Sequence, residues 1–373
     1  VITNIYSDMQ KKIVIASVLK PVDDVRSFLK LSQSIAKTNK YEVNIIGNDS
    51  KNAIEISNVK FHRHQVSRNQ WANRYFLRFR ILRLISKIKP DLLIITDHEL
   101  IGVAVISKFI SGCRIIYDVQ ENYYLNLIGI KPSLLKTSYA NLVRLKERLS
   151  SILMDKYWLA EQCYARELPF VKGKSLVIEN KAFAVDHGPK KNRGNKAIFT
   201  GTISDYSKVD LALTCYKKLL QLDSNFTLQI IGQYHHDEVE KYLVNESKKL
   251  KGLSFNISKK PIPHSEIVSA ITSATLGIIS YQPNVVNRYK IPTKLYEYSR
   301  YQLPYLVQKD TYWSEIGKGL GGAMPIEFGN PDLEFIQENL KNSLKLFPKA
   351  YPREATWEFE SKRIIKSIKK LIN

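Results

Sequence analysis

Thr275-Leu276-Gly277-Ile278-Ile279, continuing into Ser280-Tyr281-Gln282-Pro283-Asn284-Val285-Val286-Asn287-Arg288-Tyr289-Lys290-Ile291-Pro292-Thr293-Lys294-Leu295-Tyr296-Glu297-Tyr298, is the stretch on which the fold turns. The apolar run 275–279 has the length of a buried strand, and a polar loop leads from it into a short helix at Pro292-Thr293. Proline is favoured in the first turn of a helix, and threonine can cap the free N–H groups there. A loop running from a strand's carboxyl end to a helix N-terminus is a ready anion site in an α/β sheet. Arg288, Lys290 and Lys294 add positive charge, and Glu297 lies one turn into the helix. The stretch reads as a seat for a phosphorylated ligand, or else as an ordinary strand-loop-helix unit with solvated lysines.

The same rhythm runs outward in both directions. Apolar strand-length runs occur at 12–19, 41–47, 59–63, 90–98 and 114–121, with shorter ones at 156–160 and 175–180. Helical stretches separate them: from a polar turn at 20–26 to about Lys37, then about 71–89, 99–111 and 133–153. Residues 181–196 are polar and basic with two glycines and a proline, and read as a linker. The alternation restarts with strands at 197–202, 226–232, 253–257, 275–279 and 304–307, and helices at about 210–222, 236–250, 264–273 and 293–300. The last helix begins near Thr356 and carries Trp357, Ile364, Ile365, Ile368, Leu371 and Ile372 on one face. Continuous rather than alternating apolar strands belong to parallel sheets covered on both faces, and strand-helix alternation on this scale means βαβ units. The expectation is two doubly wound α/β domains: 1–180, a linker at 181–196, 197–355, and a terminal helix 356–373.

Bulk properties agree with this and narrow the function. The chain has 373 residues, 44% of them hydrophobic and 10% aromatic, enough for two cores. Cys113, Cys163 and Cys215 are widely separated with no metal-ligand spacing, which predicts a reducing compartment. No leader pattern opens the given sequence, predicting no signal peptide, and charge interrupts every apolar stretch well short of the ~20 residues of a membrane span. Fifty-seven Lys and Arg against 35 Asp and Glu give a net charge of +22. Such a field favours anionic partners, whether nucleic acid, nucleotide phosphate or a lipid surface.

Ligands in open α/β sheets bind at the carboxyl ends of the strands, so the polar groups there are the candidates. In the first half they are Lys20, Asp23, Asp24 and Arg26, then Asp97, His98 and Glu99, then Asp118, Gln120 and Glu121. In the second half they are Gly201, Thr202, Lys208, Gly232 and the opening stretch. His98 reads as a cleft residue or a surface cap, Asp118 as a hydroxyl-binding group or a helix cap, and Lys208 as a phosphate contact or an exposed lysine. No Gly-x-Gly-x-x-Gly follows a strand, and phosphate-loop, zinc-protease and nucleophile-elbow motifs are absent. His235-His236 has no further ligand at metal spacing.

Five segments, in order, resemble the retaining family 4 glycosyltransferases of the GT-B fold. Tyr117-Asp118-Val119-Gln120-Glu121 is similar to their YDVHE strand end. Phe199-Thr200-Gly201-Thr202 with Lys208-Val209-Asp210 is similar to their glycine-ended strand and following Lys-Gly loop. Leu228-Gln229-Ile230-Ile231-Gly232 is a third match. Ile291-Pro292-Thr293-Lys294-Leu295-Tyr296-Glu297-Tyr298, with Leu303 to Val307, resembles the P-x-K-l-x-E-Y segment. Ala355-Thr356-Trp357-Glu358 resembles the opening of the final helix. The resemblance implies a GT-B architecture: two Rossmann-like domains facing a central cleft, with the C-terminal helix crossing back to the first domain.

It further implies transfer of a sugar from a nucleoside-diphosphate sugar, the donor on the second domain and a saccharide or lipid-linked acceptor on the first. Glu297 would bond the donor ribose, Thr293 and nearby backbone N–H groups would meet the pyrophosphate, and Lys208 would neutralise it. No metal is needed if cations and a helix N-terminus hold the leaving diphosphate. Asp118, Glu121 and His98 are the candidates for the reacting centre, and Lys20, Asp23, Asp24 and Arg26 lie on the acceptor side. The chain departs from the pattern at four places. Tyr289 stands where a sugar-reading glutamate belongs, which leaves the donor sugar open. Thr202 stands where an arginine belongs, a role that falls to Arg288 or Lys290. Gln120 replaces a histidine, and Lys20-Pro21-Val22-Asp23-Asp24 replaces a glycine-rich loop. Bacterial surface-polysaccharide or glycolipid synthesis in the cytoplasm is the implied setting. The basic, aromatic segments 71–89 and 122–148 are expected to lean on the anionic inner face of a plasma membrane, or else to be a solvated cationic surface. A nucleotide-sugar epimerase of the same fold and a basic nucleic-acid-binding or scaffold protein are the competing readings.

Overall fold

A computed structural model describes residues 10–50, 53–54, 56–67, 70–130, 132–184 and 195–372. The chain divides into two compact units, residues 1–180 with 359–373 and residues 181–358. Most of the expected linker, 185–194, lies outside the described residues, as does Lys131 of the basic segment.

The first unit is built on seven strands: β1 (Lys11–Pro21), β2 (Tyr41–Asn48), β3 (Val59–His64), β4 (Leu92–Ile95), β5 (Arg114–Val119), β6 (Lys156–Leu159) and β7 (Ser175–Val177). Their order is β3-β2-β1-β4-β5-β6-β7 and every pairing is parallel. The second unit repeats the plan with β8 (Lys196–Ile203), β9 (Thr227–Tyr234), β10 (Leu253–Ser258), β11 (Leu276–Ile279), β12 (Tyr305–Gln308) and β13 (Ala323–Ile326), ordered β10-β9-β8-β11-β12-β13, again all parallel. The apolar runs explain both sheets. Ile13 to Ala16, Leu92 to Ile95 and Leu276 to Ile279 are buried along their whole length, as strands covered on both faces must be.

The order reverses between β1 and β4 in one sheet and between β8 and β11 in the other. Chains leave these neighbours in opposite directions, which opens a crevice at the carboxyl ends. Each unit therefore has one topologically defined place for a ligand.

Several local expectations change. The helix after Asp24 opens as a π-helix over Val25–Ser32, because Leu29 N reaches back to Asp24 O, and only then becomes α-helical over Gln33–Ala36. The strand expected over 90–98 contracts to Leu92–Ile95, and His98–Leu100 is a 3-10 turn. Helices at Tyr123–Ile128, Tyr312–Leu320 and Leu333–Lys341, and strand β13, were not anticipated. β13 is four residues long with Pro325 inside it, and a proline demotes a strand in any pattern reading. The final helix, Trp357–Ile372, buries Ile364 and Ile368, and Trp158 Nε1 donates to Ser367 Oγ at 3.3 Å within the first unit.

Candidate functional site

The crevice of the second unit starts from two glycines. Gly201 in β8 pairs with Gly232 in β9, and a Cβ on Gly232 would stand 1.7 Å from the carbonyl oxygen of Gly201. Gly201 itself has φ +116°, and a Cβ there would meet Lys294 Cε at 3.2 Å and the Tyr281 hydroxyl at 3.4 Å. Both positions hold glycine because the backbone and the Lys294 stem occupy the space a side chain needs.

Lys294 reaches over Gly201 from the helix Thr293–Arg300 and donates to Glu297 Oε2 at 2.7 Å. His264 Nε2, at the start of the helix His264–Ser273, sits 3.1 Å from Oε1 of the same carboxylate. Glu297 is 8% exposed. Burial works to raise its pKa, but the Lys294 cation and the His264 hydrogen bond outweigh it and bring the carboxyl down to about 2. The group is therefore an anion at any working pH. A carboxylate offers about four lone-pair sites, so with Lys294 and His264 bound it still accepts two more hydrogen bonds. Beside it, burial and the nearby carboxylate push the Tyr281 hydroxyl up to about 12, which keeps it a neutral donor.

The loops around this carboxylate are tied down from within. Ser280 Oγ contacts the carbonyls of Ser207 and Lys208 at 2.8 Å each, fixing the β8 loop to the end of β11. Lys208 has φ +51° and stands at the N-cap of the helix Val209–Leu222, which has no side-chain cap. The loop from Tyr281 is braced by Asn284 and Asn287: Asn284 N donates to Asn287 Oδ1 at 2.7 Å, and Val286 N to Asn284 Oδ1 at 2.8 Å. Trp313 Nε1 donates to Lys290 O at 2.7 Å. Thr293 is the first residue of its helix rather than its cap. Pro292 holds the cap position, which makes no side-chain hydrogen bond, and Leu295 N donates to Pro292 O at 3.0 Å.

Of the residues singled out from the sequence, Gly201, Gly232, Lys294 and Glu297 converge here, with Lys208 and Thr293 at the two helix starts beside them. Thr202 is exposed. Arg288 stacks on Tyr289, 5.0 Å from the ring centroid, and Tyr289 packs on Tyr312. The residue at the expected glutamate position is thus part of an aromatic cluster on the loop. His264 and Tyr281 were missed. For His264 the available signal was Pro261-Ile262-Pro263-His264, a proline-set helix start, but its partner lies 33 residues on.

In the first unit the crevice between β1 and β4 is closed by hydrogen bonds to Asp97. Ser17 Oγ and Val18 N donate to Asp97 Oδ2 at 2.7 and 2.6 Å, and burial raises the pKa of this carboxyl. Next to it, Arg26 Nε and Nη2 grip Asp118 at 2.8 and 2.6 Å, the pair being 3% and 0% exposed. Arg26 Nη1 also donates to Ile178 O and Asn180 Oδ1, while Gln120 bridges Lys20 and Asp118. Asp118 and Arg26 are thereby corrected from substrate-facing groups to a buried ion pair: both carboxylate oxygens are engaged and neither residue meets solvent. Asp24 caps the Val25–Ser32 helix through Arg26 N and Ser27 N, and Asp23 accepts from Ser50 Oγ at 2.6 Å. His98 is buried against Tyr123, ring centroids 4.3 Å apart. Burial, with the cations Lys146, Arg74 and Arg78, lowers its pKa to about 3 and leaves it neutral. Glu121 is exposed and accepts from Asn126 Nδ2. Among the described residues no group of three or more His, Cys, Asp or Glu side chains is placed to hold a metal ion, and no helix is long and apolar enough to cross a membrane.

Two all-parallel Rossmann-like sheets, each with a polar site at its switch point, are the two halves of a GT-B fold, and solved structures share that architecture. A sucrose-phosphate synthase from Thermosynechococcus elongatus superposes with a TM-score of 0.67 at 11% identity, covering 97% of this chain and 99% of its own. HepE from Anabaena, solved in complex with UDP-glucose, gives 0.65 at 12% identity over 96% and 99%. The catalytic domain of starch synthase IV from Arabidopsis thaliana, bound to ADP and acarbose, gives 0.60 at 12% over 97% and 98%. The chain has the GT-B fold. No protein-family model and no curated protein matches it by sequence.

Proposed function

We propose that this protein is a glycosyltransferase that takes a sugar from a nucleoside-diphosphate sugar and passes it to a saccharide or lipid-linked acceptor. The observation that carries the reading is Glu297, an ionised, nearly buried carboxylate held by Lys294 and His264 at the switch point of a GT-B domain. HepE is similar in fold and binds UDP-glucose, which supports a nucleotide sugar as the donor. In this reading Glu297 accepts from the two ribose hydroxyls. The N–H groups opening the helices at Thr293 and Val209, with Lys208, receive the diphosphate, and Arg288 or Lys290 supplies the charge that Thr202 lacks.

Charge develops on the departing diphosphate oxygen as the bond to the sugar breaks, and fixed N–H groups and cations stabilise it without a metal. The acceptor hydroxyl attacks on the face the diphosphate leaves, its proton passing to a diphosphate oxygen, so configuration is retained. Arg26 and Asp118 act through position, holding the end of β5 and, through Gln120, the Lys20 ammonium on the acceptor side. Glu121, His98, Asp23 and Asp24 belong to the same strand ends. We assign the reaction to the cytoplasmic side of a bacterial membrane, in surface-polysaccharide or glycolipid synthesis.

Thermal-shift screening with UDP-, GDP- and ADP-linked sugars, with and without EDTA, tests the assignment. One nucleotide family is expected to raise the melting temperature equally in both conditions. No shift from any donor refutes donor binding, loss of the shift with EDTA refutes metal independence, and donor rearranged without an acceptor indicates an epimerase.

A further inference from the structure

The first unit carries a surface that the proposed reaction does not use. Three helices, Trp71–Ile88, Ile101–Ser111 and Leu134–Ser150, lie side by side, the second packed against both others and the first joined to the third where Trp71 meets Tyr139, ring centroids 6.4 Å apart. Each buries one stripe and turns a second apolar stripe outward. Trp71, Tyr75 and Phe79 recur at every fourth position of the first helix, and Trp71 is 68% exposed. Phe109 is 73% exposed on the second, and Leu135 is 85% exposed on the third. An apolar groove of about 440 Å³ runs between the second and third helices, lined by Ile101, Val105, Leu142, Leu145, Leu149 and Leu153, with Lys146 at its edge.

The charge on these helices has one sign. They carry ten Lys and Arg residues and a single carboxylate, Glu147, which is buried. Arg78 and Arg74 lie over the faces of Tyr75 and Trp71, so cation and ring are presented together. A soluble monomer seldom exposes so many large apolar groups on one face, and such patches mark partner surfaces.

We infer that this three-helix face docks on an anionic phospholipid bilayer, its basic side chains in the headgroup plane and its apolar stripes at the acyl boundary, and that the groove takes a lipid hydrocarbon tail. Charge complementarity selects the occupant. A second copy of this chain would set like charge against like: Arg74 and Lys108 are answered by Glu99 and Asp155 beside the helices, and the helices themselves carry no exposed carboxylate for the other cations. Nucleic acid would satisfy the charge but not the leucine-lined groove. An anionic bilayer supplies both, and each cation brought to its surface raises partitioning about fivefold. The inference is independent of the donor chemistry, and vesicle binding reads it without a nucleotide sugar.

The test is flotation of the full chain with vesicles of phosphatidylcholine alone and of phosphatidylcholine mixed with phosphatidylglycerol. Binding is expected on the mixed vesicles, about tenfold or more above the neutral ones. Trp158, Trp313 and Trp357 are buried, so a blue shift and quenching by brominated acyl chains report Trp71 at the boundary. Phe109→Glu with Leu135→Glu, both at exposed positions, is expected to cut partitioning about tenfold or more while the melting temperature holds. Arg80→Gln with Arg83→Gln is expected to weaken binding mainly at low salt. Equal binding to both vesicle types, or an apolar variant that binds like the parent, overturns the inference. A dimer that the Phe109→Glu, Leu135→Glu variant dissociates overturns it in favour of self-association.

Discussion

Replacing Glu297 with glutamine leaves the shape of the side chain and removes its charge, which isolates what the carboxylate contributes. The group is 8% exposed and its pKa falls from an ordinary 4.5 to about 2, so the folded state favours the anion by about 3 kcal/mol. The same figure follows from the other side: breaking a buried ion pair by removing one partner costs about 3–5 kcal/mol, because here Lys294 keeps its charge without a counter-ion. A carboxyl whose folded pKa is depressed stabilises fully above 4.5, and the contribution is lost as the pH falls through about 2. Urea unfolding followed through the buried Trp313 therefore separates parent and E297Q at pH 7 by about 3 kcal/mol, and the gap narrows once the pH drops below 4.5. UDP binding by calorimetry should weaken by about ten- to a hundredfold, the worth of a hydrogen bond to a charged acceptor. Pairing the change with Lys294→Met should recover stability but not UDP affinity, since the buried cation is gone while the ribose acceptor is still missing. An unchanged urea midpoint at pH 7 together with an unchanged UDP affinity refutes both the buried ion pair and the donor role.

Gly232→Ala drives a methyl group to 1.7 Å from Gly201 O, a contact relieved only by parting β8 from β9. Urea unfolding is expected to show a loss of at least about 3 kcal/mol, with UDP binding impaired alongside; a stable, UDP-binding variant refutes the close approach. Arg26→Met and Asp118→Leu are each expected to cost about 3–5 kcal/mol, and the double variant markedly less than their sum. Additive losses in the double-mutant cycle show that the two side chains are not coupled.

Much of the fold was legible in the chain because both sheets are parallel and buried on both faces. That burial demands unbroken apolar runs such as Ile13 to Ala16 and Leu228 to Ile231, which stand out in any reading. β13 escaped because a four-residue strand with an internal proline looks like a loop. The Lys294–Glu297 pair was within reach as an i, i+3 contact on one helix turn. Its third member was not, since His264 comes from another helix. Likewise Asp118 and Arg26 read as open strand-end groups when taken one at a time. Their ion pair spans 92 residues and exists only because β1 and β5 flank β4 in one sheet.

The sequence alone determined the strand-helix alternation, the break into two α/β units near residue 181, and the short helix from Thr293 to Arg300, while the strands expected to end at Gly201-Thr202 and Gly232 run on to Ile203 and Tyr234. The alternation, the break and the helix follow from local periodicity and backbone sterics, which neighbouring residues fix among themselves. The tertiary structure decided the state of each polar group. It made Glu297 an anion at working pH by bringing Lys294 and His264 to it, took Asp118 out of reach by closing Arg26 over it, and joined the basic, aromatic segments 71–89 and 122–148 to the helix Ile101–Ser111 in one grooved face. Charge state, accessibility and the sharing of a surface depend on groups distant in sequence, and only chain packing brings those together.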